Sequence, residues 1–412
     1  MNARADRFFL LDSLRGVAAL MVLAVHVTWF SGAGPAAGGR WFDPYAARLE
    51  AAFAIFFVIS GFLLYRPFVR ARLLDRPALS ARAYGWRRFL RIVPAFWVAL
   101  TVIALTVGPG IAGLGELVRN YGFLQLYYGA GANDVIPQGW TLTVEIAFYL
   151  LLPVWAWLMR RVPGRDFSAR LRTELLAVGG LVAGSLAYTA VLVYSHAVER
   201  ITYSPVALLS SLPGYMDHIG LGMLLAVVSV WVEERRDGEL PRPLAFLAAH
   251  PAVCWAVAIA AMAGGGAALG LHQLYTPTEY VGRHLVNSLV AVSVVIPAIF
   301  GAAREGFVRR VLGSRPIVYV GLISYGFYLW HWAVLRELYK RDLDGRIALG
   351  SSLEWYAVAL VGALVLGSLS YYLVERPALS LKRLVPPAPR RDRDEALAEP
   401  APAAPVTAPP AA

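Results

Sequence analysis

Cysteine is nearly absent from this sequence: Cys254 is the only one in 412 residues, and it sits in an apolar run. One thiol excludes an internal disulfide and any cysteine-based metal cluster, and leaves Cys254 as a small buried hydrophobe. Lysine is almost as scarce, with only Lys340 and Lys382, so the cations are arginines, a bias read as genomic composition. Charge of any kind is low, 16% against 58% hydrophobic residues, with a mean hydropathy of +0.56. Soluble domains carry about 25% charged and 45–50% apolar residues, so the composition points to a polytopic membrane protein. A net charge of +11 raises nucleic acid as a partner. The arginines lie between apolar runs, without a basic face or a nucleic-acid motif, which argues against it. No His-x-x-x-His or carboxylate–histidine spacing is present, so no metal is expected; His196, His250 and His272 read as interfacial or loop residues.

Ten apolar stretches can be drawn, at about 8–30, 51–68, 92–110, 141–159, 174–195, 214–232, 244–270, 285–302, 317–336 and 354–374. With a cytoplasmic N-terminus, the segments on that side hold 28 Lys and Arg and the opposite loops hold nine, with Arg15 left inside the first span. Positive charge collects on the cytoplasmic side of membrane proteins. The expected fold is therefore an all-α, multi-pass bundle of ten transmembrane helices in the cytoplasmic membrane, both termini cytoplasmic. The N-terminus, basic residues followed by an apolar run and small residues, superficially resembles a signal peptide. Its apolar core is interrupted by charge and long enough to span, so it reads as a retained first helix. Residues 1–385 form the membrane domain, and the Pro/Ala-rich stretch 386–412 reads as a disordered cytoplasmic tail.

The first stretch breaks the rule for a membrane helix, because it carries Asp12, Arg15 and His26. Ionisable groups at membrane depth cost about 2.5–3.5 kcal/mol each on insertion scales and are seldom kept without a role. Eleven residues separate Arg15 from His26. Eleven steps of about 100° return a helix to nearly the same face, so the two share a stripe roughly 16 Å long, with Asp12 joining it. Snorkelling of Arg15 to a headgroup, with Asp12 as partner, is the structural alternative. For His26 it is a neutral core imidazole.

Other polar stripes follow. Arg87, Arg88 and Arg91 enter the third stretch on one face, a spacing that suits phosphate as well as lipid headgroups. Thr141, Glu145 and Tyr149 share a face of the fourth, with Glu145 at a depth similar to His26, so the two could meet if their helices pack together. Asp217 lies near the outer end of the sixth. Ser324, Tyr328 and His331 form a stripe on the ninth, and Glu375 ends the tenth beside Arg376 or another basic group.

Several of these pieces match one family in order and spacing. They are LDSLRGVAALMVLAVH at 11–26, FFVISGFLL at 56–64, RRFLRIVPAFW at 87–97, WTLTVEIAFYLLLP at 140–153, MDHIGLGMLLA at 216–226, SYGFYLWH at 324–331 and VERP at 374–377. Together they resemble the acyltransferase-3 family of integral-membrane O-acyltransferases over nearly everything but the tail. Some members carry an extracytoplasmic hydrolase-like domain after the last span; this chain is expected to be the stand-alone form.

The resemblance implies transfer of an acyl group, usually acetyl from acetyl-CoA, to a hydroxyl of a sugar, glycolipid or glycosylated metabolite of the bacterial cell envelope or cell. His26 suits the general base that activates a hydroxyl. Glu145 either orients the imidazole or accepts the proton itself. Arg15, Arg87, Arg88 and Arg91 would hold the CoA phosphates. Ser324, Tyr328, His331 and Asp217 are candidate substrate-binding residues, the first three as hydrogen-bonding groups for the thioester oxygen or the acceptor. The competing class is a proton-coupled transporter or flippase, which also keeps Arg, His and Glu inside the membrane.

Overall fold

The computed structural model describes residues 9–31, 45, 48–128, 134–195, 207–235, 239–269, 275–301, 306–347, 349 and 351–385. The tail 386–412, His196 and His272 lie outside them. Among the described residues there is no strand, and ten helices are long and apolar enough to cross a membrane. In chain order these are α1 (Phe9–Phe30), α2 (Ala51–Leu73), α3 (Ala81–Thr106), α4 (Trp140–Arg161) and α5 (Phe167–Tyr194). Then come α6 (Leu212–Glu233), α7 (Pro251–Leu269), α8 (Pro277–Phe300), α9 (Arg315–Leu343) and α10 (Ser352–Ser370). All ten apolar stretches are thus helices. Several outrun their hydropathy: α3 begins at Ala81, so Arg82, Arg87 and Arg88 belong to the same helix as the apolar run. Helix geometry continues past the hydrocarbon as long as the backbone bonds continue, whereas hydropathy stops at the first charges.

Helix starts carry local signals. Asp166 accepts from the backbone N–H of Ala169 to begin α5, and Ser80 does the same for Ala83 in α3. Thr276–Glu279 and Ser351–Glu354 are reciprocal capping boxes for α8 and α10. Proline at the first turn opens α6, α8 and α9 without loss of an intrahelical hydrogen bond.

α2 and α6 form the buried centre, and they meet backbone to backbone. A Cβ on Gly61 would lie 2.1 Å from the Ile219 carbonyl oxygen, and one on Gly222 2.1 Å from that of Val58. The same device joins α1 to α9, where a Cβ on Gly321 would strike the Asp12 carbonyl oxygen at 2.1 Å. Lipid offers no hydrophobic drive between helices, so close approach at small residues and dispersion contacts hold such bundles. Outward, α4, α5, α7 and α10 present Leu150, Leu176, Ile259 and Val361, each more than half exposed. An apolar exterior around a core containing buried Arg72, Glu174, Asp217 and His331 fits a bilayer solvent.

Candidate active site

The helices enclose a cavity of about 680 Å³ that runs from the end of the bundle where α1 starts towards the end where it finishes. Of the ten residues given a catalytic or binding role in the sequence, eight line it: Arg15, His26, Arg87, Arg88, Arg91, Glu145, Ser324 and Tyr328. His331 and Asp217 do not.

Five cations, Arg15, Arg87, Arg88, Arg91 and Lys382, line the cavity on the side where α1 and α3 start and the α10 segment ends. Arg15 reaches back to Asp12 at 3.5 Å, as i,i+3 spacing permits. Arg88 stands over the ring of Tyr149, 5.9 Å from its centre. Arg91 pairs with Glu375 at 3.5 Å, so the basic partner of Glu375 comes from α3. A π-helical turn, Tyr371–Glu375, interrupts the helix at the end of α10, and Glu375 there is only 1% exposed. Such turns shift the register by one residue and are frequent at functional sites. Trp86 donates from its indole nitrogen to the Leu381 carbonyl at 3.0 Å, tying the start of α3 to the segment that carries Lys382. Lys382 was not singled out in the sequence. Its signal would have been its place just after VERP, a short step from the other arginines only in the fold.

Farther in, Glu145 on α4 accepts from Ser60 on α2 at 2.9 Å and from Tyr149, one turn on, at 2.6 Å. Both donors meet the same oxygen, Oε1. Ser60 is the polar residue of FFVISGFLL, and its partner lies 85 residues away. Tyr328 gives its hydroxyl proton to the Gln138 carbonyl at 2.8 Å and meets the Thr141 hydroxyl at 2.7 Å. The Gln138 amide returns hydrogen bonds at 3.1 Å to the carbonyls of Tyr328 and Leu329. This exchange pins the turn before α4 against α9.

His26 lies towards the other end of α1, and its partner is His331: Nδ1 of His26 meets Nε2 of His331 at 2.8 Å. The hydrogen bond anticipated as possible between His26 and Glu145 is therefore made by an imidazole of α9, while Glu145 is bonded to Ser60 and Tyr149 within the same cavity. His331 is fully buried behind His26, and its Nδ1 is 2.8 Å from the Tyr328 carbonyl. A carbonyl only accepts, so Nδ1 of His331 carries the proton and its Nε2 is the acceptor. Nδ1 of a neutral His26 must then be the donor, which leaves its Nε2 as a bare lone pair. Trp332 packs edge-on to the His26 ring at 4.8 Å and lines the cavity beside Trp29.

Beyond His26 the cavity wall turns aromatic. Phe53, Trp140, Tyr215 and Tyr280 surround an ion pair between Arg283 and Glu50, 2.9 Å apart. Asp217, expected to face substrate, is instead turned behind this wall towards His218 and His284. The chain positions of His218 and His284, 66 residues apart, carry no metal-like or catalytic spacing, so only the packing of α6 on α8 reveals the group.

A polytopic helical bundle with a buried imidazole pair and a cationic pocket on one path is a frame shared by membrane-embedded transferases and carriers, and the sequence comparisons decide between them. The sequence profile of the acyltransferase-3 domain matches residues 9–372, and the chain belongs to that family. It is a multi-pass membrane O-acyltransferase. Among curated proteins it is 28% identical over 395 residues to nodulation protein 10 of Rhizobium leguminosarum bv. viciae, covering 90% of this chain and 93% of that one. It is 27% identical over 429 residues to acyltransferase MdmB of Streptomyces mycarofaciens, covering 96% and 98%. It is 24% identical over 387 residues to the putative peptidoglycan O-acetyltransferase YrhL of Bacillus subtilis, covering 89% of this chain and 54% of YrhL. No solved structure matches the chain significantly.

Proposed function

We propose that this enzyme moves an acyl group, acetyl in the first instance, from acyl-CoA to a hydroxyl of a sugar, glycolipid or glycosylated metabolite. The observation that carries this reading is one cavity with five cations at one end and His26, backed by buried His331, along it. Guanidinium groups bind phosphate through paired hydrogen bonds, and several of them in a low-dielectric mouth hold a multiply charged donor well. The excess of arginine on the same side in the sequence supports a cytoplasmic position for that mouth, where acyl-CoA is made. The thioester then lies deeper, beside His26. The aromatic wall with Arg283 and Glu50 receives the acceptor. Relatives named for exopolysaccharide production and for peptidoglycan O-acetylation support a carbohydrate acceptor.

In the step itself, Nε2 of His26 takes the proton of the acceptor hydroxyl as its oxygen attacks the thioester carbonyl. The carbon–sulfur bond then breaks, the thiolate leaves, and the imidazolium returns the proton to it, so the products are an O-acyl ester and free CoA. His331 holds the His26 ring and its tautomer. Glu145, held by Ser60 and Tyr149, supplies negative charge on the cationic side of the path, where it helps to position the donor-binding Arg15. Ser324, a residue of the cavity lining, donates to the thioester oxygen in this scheme.

Membranes containing the enzyme, given acetyl-CoA labelled in the acetyl group, are expected to transfer label to a glycan or glycoside acceptor. His26→Ala is expected to abolish transfer while the protein stays in the membrane at normal level. Full turnover by that variant would remove His26 from the reaction. Family membership already decides for the enzyme over a proton-coupled carrier; gradient-driven uptake of an acceptor without labelling would reverse that choice.

A further inference from the structure

Behind the aromatic wall, α6 and α8 assemble a polar cluster that acyl transfer does not use. Asp217 and His218 come from α6 and His284 from α8, and all three are buried. One donor atom from each lies within 4.8 Å of the other two. Nδ1 of His284 stands 3.0 Å from Oδ2 of Asp217, and Nδ1 of His218 stands 3.4 Å from the same oxygen. The two imidazole planes are inclined by only 20°, with ring centres 5.2 Å apart. Donor atoms on a tetrahedral ion with bonds of about 2.0–2.1 Å lie roughly 3.3–3.4 Å from one another. The two separations to Oδ2 of Asp217 fall within a few tenths of an ångström of that edge.

Two further features point to a ligand. Oδ1 of Asp217 is buried without a hydrogen-bond partner. A carboxylate buried at membrane depth also requires a positive counterpart, and Arg283, one residue before His284, is turned to Glu50. We propose that Asp217, His218 and His284 bind a transition-metal dication, with zinc the best match to two imidazoles and one carboxylate. Binding replaces the contact between Nδ1 of His218 and the Ser288 hydroxyl, now 2.9 Å, with a coordinate bond. Oδ1 of Asp217 is available to complete the coordination.

The cluster does not line the cavity, so the ion is structural. It clamps α6 to α8 immediately behind Tyr215 and Tyr280, whose rings lie against His284 at 5.3 and 5.2 Å and which both face the cavity. The acceptor-side wall is thereby held in place by a bond that spans 67 residues of chain.

The test is metal analysis of the tag-free, full-length protein purified in detergent. About one equivalent of zinc or another first-row dication per chain is expected, falling below about one-tenth in Asp217→Asn and in His284→Gln. Replacement by Co²⁺ is expected to give the visible absorption of a tetrahedral site in the wild type and not in the variants. A chelator is expected to lower the melting temperature of the wild type alone. Metal below about one-tenth of an equivalent after dialysis against Zn²⁺ would overturn the proposal and leave a proton-sharing network. So would equal metal in wild type and variants. Where one variant fails to fold, the metal content of the wild type and the other variant still decide.

Discussion

Replacing His331 by phenylalanine removes the acceptor for His26 and the Nδ1–H given to the Tyr328 carbonyl, which keeps the Gln138 amide as a donor. The ring position is filled, but Nδ1–H of His26 loses its partner at 2.8 Å, inside a cluster bounded by Trp332, Phe327 and Tyr328. An unsatisfied buried donor costs about 1–3 kcal/mol. His26 can escape that cost by moving its proton to Nε2 or by rotating, and both changes remove the lone pair from the acceptor hydroxyl. If that cost falls on the transition state, kcat drops about 5- to 150-fold, since each 1.36 kcal/mol is tenfold. The donor phosphates bind at the cationic end, roughly 16 Å along α1, so KM for acyl-CoA is expected to stay within about twofold. His331→Gln places a side-chain carbonyl where Nε2 stood, so it is expected to restore most of the loss. The assay is steady-state transfer from labelled acetyl-CoA at saturating acceptor, with the protein level in the membrane measured in parallel. Wild-type kcat in His331→Phe, or an equal loss in His331→Gln, would refute the claim that His331 acts by fixing the His26 tautomer.

The cationic mouth and the helix contacts give two more expectations. Arg88→Glu with Arg91→Glu is expected to raise KM for acyl-CoA by about tenfold or more, while leaving the affinity for acceptor near normal; an unchanged KM would return both residues to lipid anchoring. Because a Cβ on Gly222 would lie 2.1 Å from the Val58 carbonyl, Gly222→Ala must push α2 and α6 apart. It is expected to destabilise the bundle by about 1–3 kcal/mol, read as a lower melting temperature in detergent. An unchanged melting temperature would show that the two helices are less tightly set than their backbone distance implies.

Much of the architecture was legible before any coordinates. Spans, their number and the polar stripes follow from hydropathy and from a period of 3.6, which are properties of short segments. Arg15 and His26 share a cavity because eleven residues make just over three whole turns of one helix. Arg87, Arg88 and Arg91 converge for the same local reason. The helix ends were less legible: the start of α3 and the end of α9 are charged, and hydropathy stops at the first charge although the backbone bonds do not. The short helices Gly113–Tyr121, Arg242–Ala249 and Phe307–Leu312 are too brief to show in such a reading.

Partnership between helices followed a different logic. Nothing in the chain says that His26 meets His331, 305 residues away, before Glu145, or that Ser60 takes the Glu145 oxygen. Asp217 had the look of a substrate ligand, being polar and near a helix end, yet it faces His284 because α6 rotates that edge towards α8. Composition and period settle what each helix is and which of its faces is polar. The angle and register at which helices meet come from contacts such as Gly61 on Ile219 and Gly321 on Asp12. Those contacts depend on shape summed over many side chains, so pairing emerges only when the whole bundle is packed.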